Sequence, residues 1–436
     1  MRVLLAILGC APALCAQEPQ VPPASSGIAV HGSLALRYRA RWSDHDSDQD
    51  LLETLALDLG DPAQDLVTAS LSAQALLDLD GVEQPPSAFR SLEDTEGNSF
   101  AEHVSSAYVD LHQASGWETL RAGRQTIVET PELAWFDGLR AETAESGATR
   151  AQFGAYGGLP VHLWAGASAG DALYGGFAQL RPWSGARVRA DWMHSQDDAR
   201  LGGSSDDLYG LGVWQSLWTS LRLDGEYTRL EDRDRDLRLH ASWSAPDSDL
   251  VVRANWYHLL ETQGELSQSL DPFSATLHDL QPFQQYGLQV SKSLGRKLEV
   301  QAGYDARRVD EAQNEGDFNH DFDRGYATLV ATDVLPAKLV LTLTTDLWDA
   351  TPSNFQTFGG DLARSFDEHL DASVGTFYSL YQYDLYQQRE SDHVRIWYAK
   401  LVFDRKAPLR LELRYQFEED PIDQYQDLRL GVTWRF

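Results

Sequence analysis

The chain has 436 residues, with 66 acidic against 36 basic side chains and a formal charge of −30. That acidity argues against nucleic acid or anionic lipid headgroups as electrostatic partners. Only 42% of residues are hydrophobic, which excludes a helical membrane protein, and nothing approaches the roughly 20 consecutive apolar residues that a spanning helix needs.

In chain order, Met1-Arg2 precedes an apolar stretch from Val3 to about Ala13, then Leu14-Cys15-Ala16 before the polar Gln17-Glu18. This reads as a secretory signal peptide, residues 1–16, cleaved after Ala16. The alternative is a lipoprotein, because Ile7-Leu8-Gly9-Cys10 resembles a lipidation box, although the apolar region before Cys10 is short for one. Both cysteines, Cys10 and Cys15, lie in the leader. The mature chain then has no thiol, which excludes metal-thiolate and cysteine chemistry. Residues 17–27 form a short N-terminal segment. No linker or change of composition divides residues 28–436, so one large repetitive domain is expected.

The dominant signal is period-two alternation, because successive side chains of a strand point to opposite faces. From Val30 to Trp42 the even positions read Val30, Gly32, Leu34, Leu36, Tyr38, Ala40 and Trp42, and the odd ones His31, Ser33, Ala35, Arg37, Arg39 and Arg41. Val188, Ala190 and Trp192 alternate with Arg187, Arg189 and Asp191. Leu237, Leu239, Ala241 and Trp243 alternate with Arg238, His240 and Ser242. Further on, Leu409, Leu411, Leu413, Tyr415 and Phe417 alternate with Arg410, Glu412, Arg414, Gln416 and Glu418. Such runs are about ten to fifteen residues long, close to the nine to eleven a tilted strand needs to cross a bilayer. With 11% aromatic residues available for two interfacial girdles, the pattern predicts an all-β transmembrane antiparallel barrel of about 18–22 strands. Soluble all-β folds are the competing class.

Connections fall into two kinds. Brief ones are Leu294-Gly295-Arg296, Leu335-Pro336-Ala337 and Arg405-Lys406-Ala407-Pro408. Long polar ones run Gly81 to Ala101, Glu261 to Gln281, Asp310 to Asp321 and Asp349 to Arg364. This is the asymmetry of periplasmic turns and extracellular loops. Pro160 to Gly170 and Asp361 to Tyr383 take no clear assignment. The acidic runs Asp44 to Asp50, Asp197-Asp198 and Asp206-Asp207 are expected between strands. The first has acid at alternate positions but lacks the glycine and the final acid of a calcium-binding hand, so a solvated loop is expected. Histidines such as His31, His45, His240 and His393 show no metal-ligand spacing. No metal or cofactor is expected.

The final strand alternates Leu428, Leu430, Val432, Trp434 and Phe436 with Asp427, Arg429, Gly431, Thr433 and Arg435. A terminal aromatic on an alternating strand resembles the signal by which outer-membrane proteins reach their barrel assembly machinery. Phe436 is therefore the expected contact with that machinery, and outer-membrane lipid and lipopolysaccharide are the expected surroundings.

Arginine carries most of the positive charge, and at mid-depth on a lipid face each would cost roughly 2–4 kcal/mol. The alternating arginines are therefore expected to face the lumen. Either each pairs with a cross-strand carboxylate and stiffens the wall, or a subset including Arg37, Arg39, Arg41, Arg187, Arg189, Arg410 and Arg414 forms a positive ladder that passes anionic solutes. An enzyme would need a Ser-His arrangement or paired carboxylates at working distance. Neither is visible, so a passive porin-like channel is expected. A rim-active barrel enzyme and a structural or adhesive barrel are the alternatives.

The segment Ala107-Tyr108-Val109-Asp110-Leu111, Leu120-Arg121-Ala122-Gly123-Arg124-Gln125 and Trp135-Phe136-Asp137-Gly138-Leu139-Arg140 resembles the alginate export family of outer-membrane barrels. The resemblance implies a monomeric channel of about 18 strands with an arginine-rich constriction for an anionic polysaccharide. It adds Arg121, Arg124 and Arg140 as positions on the path. Arg124 shares parity with Leu120 and Ala122, which would turn it to lipid unless Gly123 opens a bulge or the residue sits at the rim.

Overall fold

The structure, a computed structural model, describes residues 28–81, 89, 99–114, 116–129, 131, 133–162, 170–197, 204–261, 281–310, 321–350, 355–384, 389–404, 408–421 and 423–436. The leader with Cys10 and Cys15, the segment 17–27, residues 405–407 and most of the long connections lie outside these.

The alternating runs become strands: β1 (Val30–Trp42), β2 (Ser47–Leu59), β3 (Val67–Asp78), β4 (Phe100–His112), β5 (Trp117–Ile127), β6 (Ala134–Thr143), β7 (Gln152–Pro160), β8 (Ala172–Leu180), β9 (Ala186–Asp197), β10 (Ser204–Leu217) and β11 (Leu221–Leu230). They continue as β12 (Arg233–Ala245), β13 (Leu250–Leu259), β14 (Phe283–Leu294), β15 (Leu298–Val309), β16 (Phe322–Leu335), β17 (Leu339–Ala350), β18 (Phe355–Ser365), β19 (Leu370–Asp384), β20 (Arg389–Asp404), β21 (Leu409–Glu419) and β22 (Gln424–Arg435). Each pairs antiparallel with its sequence neighbours, and β22 pairs with β1. The sheet of 22 strands is thus a closed barrel with no free edge. Closure satisfies every ladder in the wall, which a lipid environment demands because no water is there to take an unpaired N–H or C=O.

The count lies at the top of the expected range and exceeds the 18 implied by the family resemblance. Two sequence expectations need correction. Asp349 to Arg364 is not one long loop, since β18 occupies its second half and forms a hairpin with β17. Nor do the acidic runs all lie between strands: Asp48 and Asp50 are in β2, Asp197 ends β9, and Asp206 and Asp207 are in β10. Polarity suggested loops there, but strand ends beyond a hydrophobic belt are themselves solvated.

The two faces separate cleanly. Val109, Leu139, Leu211, Leu288, Val374, Trp397, Leu413 and Leu430 are exposed on the outer surface. An apolar exterior this continuous requires a covering of lipid. The longest connections, 79–99, 260–282 and 310–321, all leave one end, here called the loop end. The other, the turn end, carries Phe436 and tight connections such as 218–220 and 295–297.

At the turn end, Gly32 and Phe436 exchange backbone hydrogen bonds of 2.9 and 3.0 Å, and Phe436 packs against Trp434 with ring centroids 4.8 Å apart. A Cβ on Gly32 would lie 2.7 Å from the Phe436 ring and 2.7 Å from Ala56 O. Gly32→Leu is therefore expected to displace the terminal ring and slow refolding into detergent severalfold. Heat-modifiable gel migration over time checks this, and unchanged kinetics would mean the seat is dispensable.

Candidate functional site

Most wall arginines collect on the inward face, because water reaches it over the full length of a strand, while Arg124 and Arg308 stand outward paired with Asp137 and Asp323. Antiparallel register sets Arg39 of β1 opposite Arg429 of β22, Arg429 opposite Arg414 of β21, and Arg414 opposite Lys400 of β20. Four cations thus stand side by side on successive strands. Opposed same-face side chains have Cβ atoms about 5 Å apart, and like charges there repel unless solvent or an anion intervenes. Among the described residues two carboxylates are ion-paired to this row, and Asp50 of β2 stands opposite Arg39 on the other side. Asp427 accepts from Arg39 and from Arg429, each at 2.6 Å, and Glu412 lies 3.2 Å from Lys400 and 3.4 Å from Arg410. Arg414 donates to the Gln416 amide oxygen at 3.1 Å. Arg37 stands exposed opposite Gly431, with no ion pair among the described residues. This sector carries more positive charge than it neutralises.

Elsewhere several inward arginines are matched by carboxylates, while Arg253 donates to the Gln289 amide oxygen at 3.1 Å. Arg41 contacts Asp48 and reaches Asp50 at 3.3 Å. Asp48, Asp78 and Asp80 bring one oxygen each within 4.8 Å of one another, and of these Arg41 pairs with Asp48. Arg121 grips Asp110 through two hydrogen bonds of 2.7 and 2.8 Å and lies 3.7 Å over the Tyr108 ring. Its register partner Arg140 contacts Glu142.

The most enclosed arginine is Arg189 on β9. Its side chain is 2% exposed, pairs with Asp191 at 2.8 Å and Glu129 at 2.7 Å, and covers the Phe177 ring at 3.9 Å. Arg187 reaches the same Glu129 at 3.5 Å and stacks on Trp214 at 3.8 Å. Glu129 belongs to the connection after β5, so that connection folds inward over β9. Pro131 continues the path, accepting from Arg235 at 3.4 Å. Beneath it Ile127, Ala134, Phe136, Tyr156, Leu173, Met193 and Leu208 form a buried cluster on the inner wall. Gly210 gives Pro131 its seat, for a Cβ there would lie 2.8 Å from Pro131 Cγ. Gly210→Leu is expected to lift this connection and change single-channel conductance by tens of per cent, and an unaltered conductance would show that it does not narrow the bore.

The structure therefore places Arg37, Arg39, Arg41, Arg121, Arg140, Arg187, Arg189, Arg410 and Arg414 on the inner face, but only Arg37, Arg39, Arg410 and Arg414 in the cationic sector. Arg124 is a correction. It shares a face with Val109 and Leu139, whose side chains are exposed on the lipid side, and its guanidinium bridges Asp137 at 2.7 and 2.8 Å. Gly123 has φ of +123°, but parity is kept, and Arg124 instead donates at 3.1 Å to Val104 O beside the β4 irregularity. Arg429, Asp427, Lys400 and Glu129 were not singled out as path residues. The sequence held the first three in alternating runs, whereas Glu129 had no signal because its role depends on a chain reversal. Acidity is also less confined to loops than expected, since Asp110, Asp191, Asp305, Asp346 and Asp427 line the wall in ion pairs.

No family model and no curated protein sequence matches the chain. Solved structures do. The P pilus usher (PapC) translocation pore is similar over 93% of this chain and 99% of its own, with 9% identity and a TM-score of 0.54. The siderophore receptor PirA from Pseudomonas aeruginosa is similar over 95% of this chain and 81% of its own, with 12% identity and a TM-score of 0.56. The fold is an outer-membrane β-barrel. A third structure, Pseudomonas aeruginosa OccK3, gives a TM-score of 0.42 at 14% identity, too distant to add to that statement.

Proposed function

We propose that this barrel is a passive, monomeric outer-membrane channel, surrounded by lipid and lipopolysaccharide, whose cationic sector draws carboxylated solutes through the lumen. The observation that carries the reading is the row Arg39, Arg429, Arg414 and Lys400, ion-paired to two carboxylates among the described residues. Guanidinium groups keep their charge at any physiological pH and bind carboxylates as planar forks. Across the barrel, β11 and β12 turn both signs inward, with Arg222, Asp224 and Glu226 on one and Arg238 paired with the enclosed Asp236 at 3.1 Å on the other. A positive sector facing one in which the signs balance gives a field across the bore that draws carboxylates to one side.

The half-buried inward ring of Trp214, with Arg187 over one face, sets flat apolar surface beside fixed positive charge. That combination suits acidic sugars, whose ring faces are apolar and whose carboxylates are not. It supports uronate polysaccharide as the cargo, in keeping with the resemblance to the alginate export family. The test is the reversal potential in a planar bilayer under a salt gradient. Anion preference that oligouronate reduces by block supports the reading, and cation preference with no block would overturn it.

A further inference from the structure

The outer face of β9 and β10 near the loop end carries an arrangement that the sequence reading did not find and the channel does not use. Register sets His194 of β9 directly opposite Asp207 of β10, with Ser205 two residues from Asp207 on the same face. His194 Nδ1 lies 3.1 Å from Asp207 Oδ1, and Ser205 Oγ lies 3.5 Å from His194 Nε2. An acid, an imidazole and a hydroxyl are thus in line. The carboxylate holds the ring proton on Nδ1, which leaves the Nε2 lone pair directed toward the hydroxyl. Two further contacts fix the parts. Tyr174 stacks on the imidazole with centroids 4.7 Å apart at 29°, and Trp192 Nε1 donates to the same Asp207 oxygen at 3.0 Å.

Exposure completes the picture. Ser205 is exposed, and on the same outer strip the site is bordered by Tyr174, Trp192 and Tyr209. Aromatic side chains of that kind mark the level where headgroups give way to hydrocarbon. Ser205, His194 and Asp207 stand on the headgroup side of those rings, within reach of the acyl ester bonds of membrane lipids.

We propose that Ser205, His194 and Asp207 form a hydrolytic site on the outer face of the barrel, specific for carboxylic esters of long-chain fatty acids. Ser205 Oγ attacks the ester carbonyl carbon as its proton passes to His194 Nε2. The tetrahedral adduct then expels the alcohol, which takes that proton, and an acyl-serine remains. Water, deprotonated by the same nitrogen, attacks the acyl-serine to release the fatty acid and restore Ser205. No co-reactant beyond water is needed. Gln196 stands opposite Ser205 in register, the position from which a side-chain amide reaches the oxyanion. Asp207 is a positioning residue. The site is independent of the lumen and does not rest on the transport reading.

The test uses the full chain folded in detergent and in phosphatidylcholine vesicles, with folding checked by heat-modifiable migration. A fluorophosphonate probe is expected to label Ser205, as read by peptide mapping, and labelling is expected to vanish in Ser205→Ala. Release of palmitate from p-nitrophenyl palmitate is expected to fall at least 100-fold in His194→Ala, on the scale of losing a general base, about 10²–10⁴-fold. Asp207→Asn is expected to lower kcat with KM unchanged, and Asp207→Glu to restore part of it, which a merely structural carboxylate would not do. Hydrolysis of vesicle phospholipid assigns membrane lipid as substrate, and hydrolysis of the added ester alone assigns exogenous acyl esters. A folded wild-type barrel that takes no label at Ser205 and releases palmitate no faster than Ser205→Ala overturns the proposal.

Discussion

Replacing Arg37, Arg39 and Arg414 together by alanine is expected to reverse the ion preference of the channel. A unit charge about 7 Å from a permeating ion contributes about 0.6 kcal/mol in water, so three contribute about 2 kcal/mol. Screening over a Debye length of about 10 Å at 0.1 M salt trims this to roughly a tenfold change in the permeability ratio. The three residues suit the test because Arg37 and Arg414 hold no ion pair among the described residues, and loss of Arg39 leaves Asp427 still paired with Arg429. The fold should survive. Arg121→Ala is the control: its guanidinium is held by Asp110, so its removal should leave selectivity nearly constant. If the triple variant keeps the wild-type reversal potential, the row is wall structure and the solute is selected elsewhere.

Arg189→Met is expected to destabilise the barrel by about 3–5 kcal/mol, the scale on which breaking a buried ion pair leaves an uncompensated charge. Here the stranded group is Asp191, whose side chain is 6% exposed, while Glu129 at 50% can turn to solvent and keep Arg187. Adding Asp191→Leu to Arg189→Met removes the stranded charge and should recover most of the loss, because a matched apolar pair avoids the desolvation cost altogether. Urea unfolding of the barrel in detergent reads both variants. Equal stability of Arg189→Met and wild type would mean that water already reaches Asp191.

Much of this architecture is legible in the chain itself because a strand has an exact period of two, and a wall with lipid on one side and water on the other forces polarity to follow it. The run from Leu409 to Glu418 could be read directly into β21. Legibility fails where that contrast fails. Phe355–Ser365 and Leu370–Asp384 contain inward glycine, serine and aromatic residues with few charges, so β18 and β19 did not separate from loop. Asp48 and Asp50 alternate with Ser47 and Gln49 on a strand end where both faces are polar, so parity carries no signal, and the enclosure of Asp48 against Arg41 depends on the neighbouring strand.

The candidate sites divide along the same line. The sequence by itself determined that the barrel spans by alternating strands and that Arg37, Arg39, Arg41, Arg410 and Arg414 face inward, because each follows from the position of a residue along its own strand, whereas the face of Arg124 stayed open at Gly123 until the strand register placed it outward. Only the tertiary structure decided which charges meet. Closure of β22 on β1 brings Arg39 beside Arg429 and Asp427, nearly the whole chain away in sequence. The inward turn of the β5–β6 connection carries Glu129 to Arg189, and the β9–β10 register puts Ser205, His194 and Asp207 in one line. Pairing between strands depends on register and closure, which are set by all the ladders together, and no single strand's alternation encodes them.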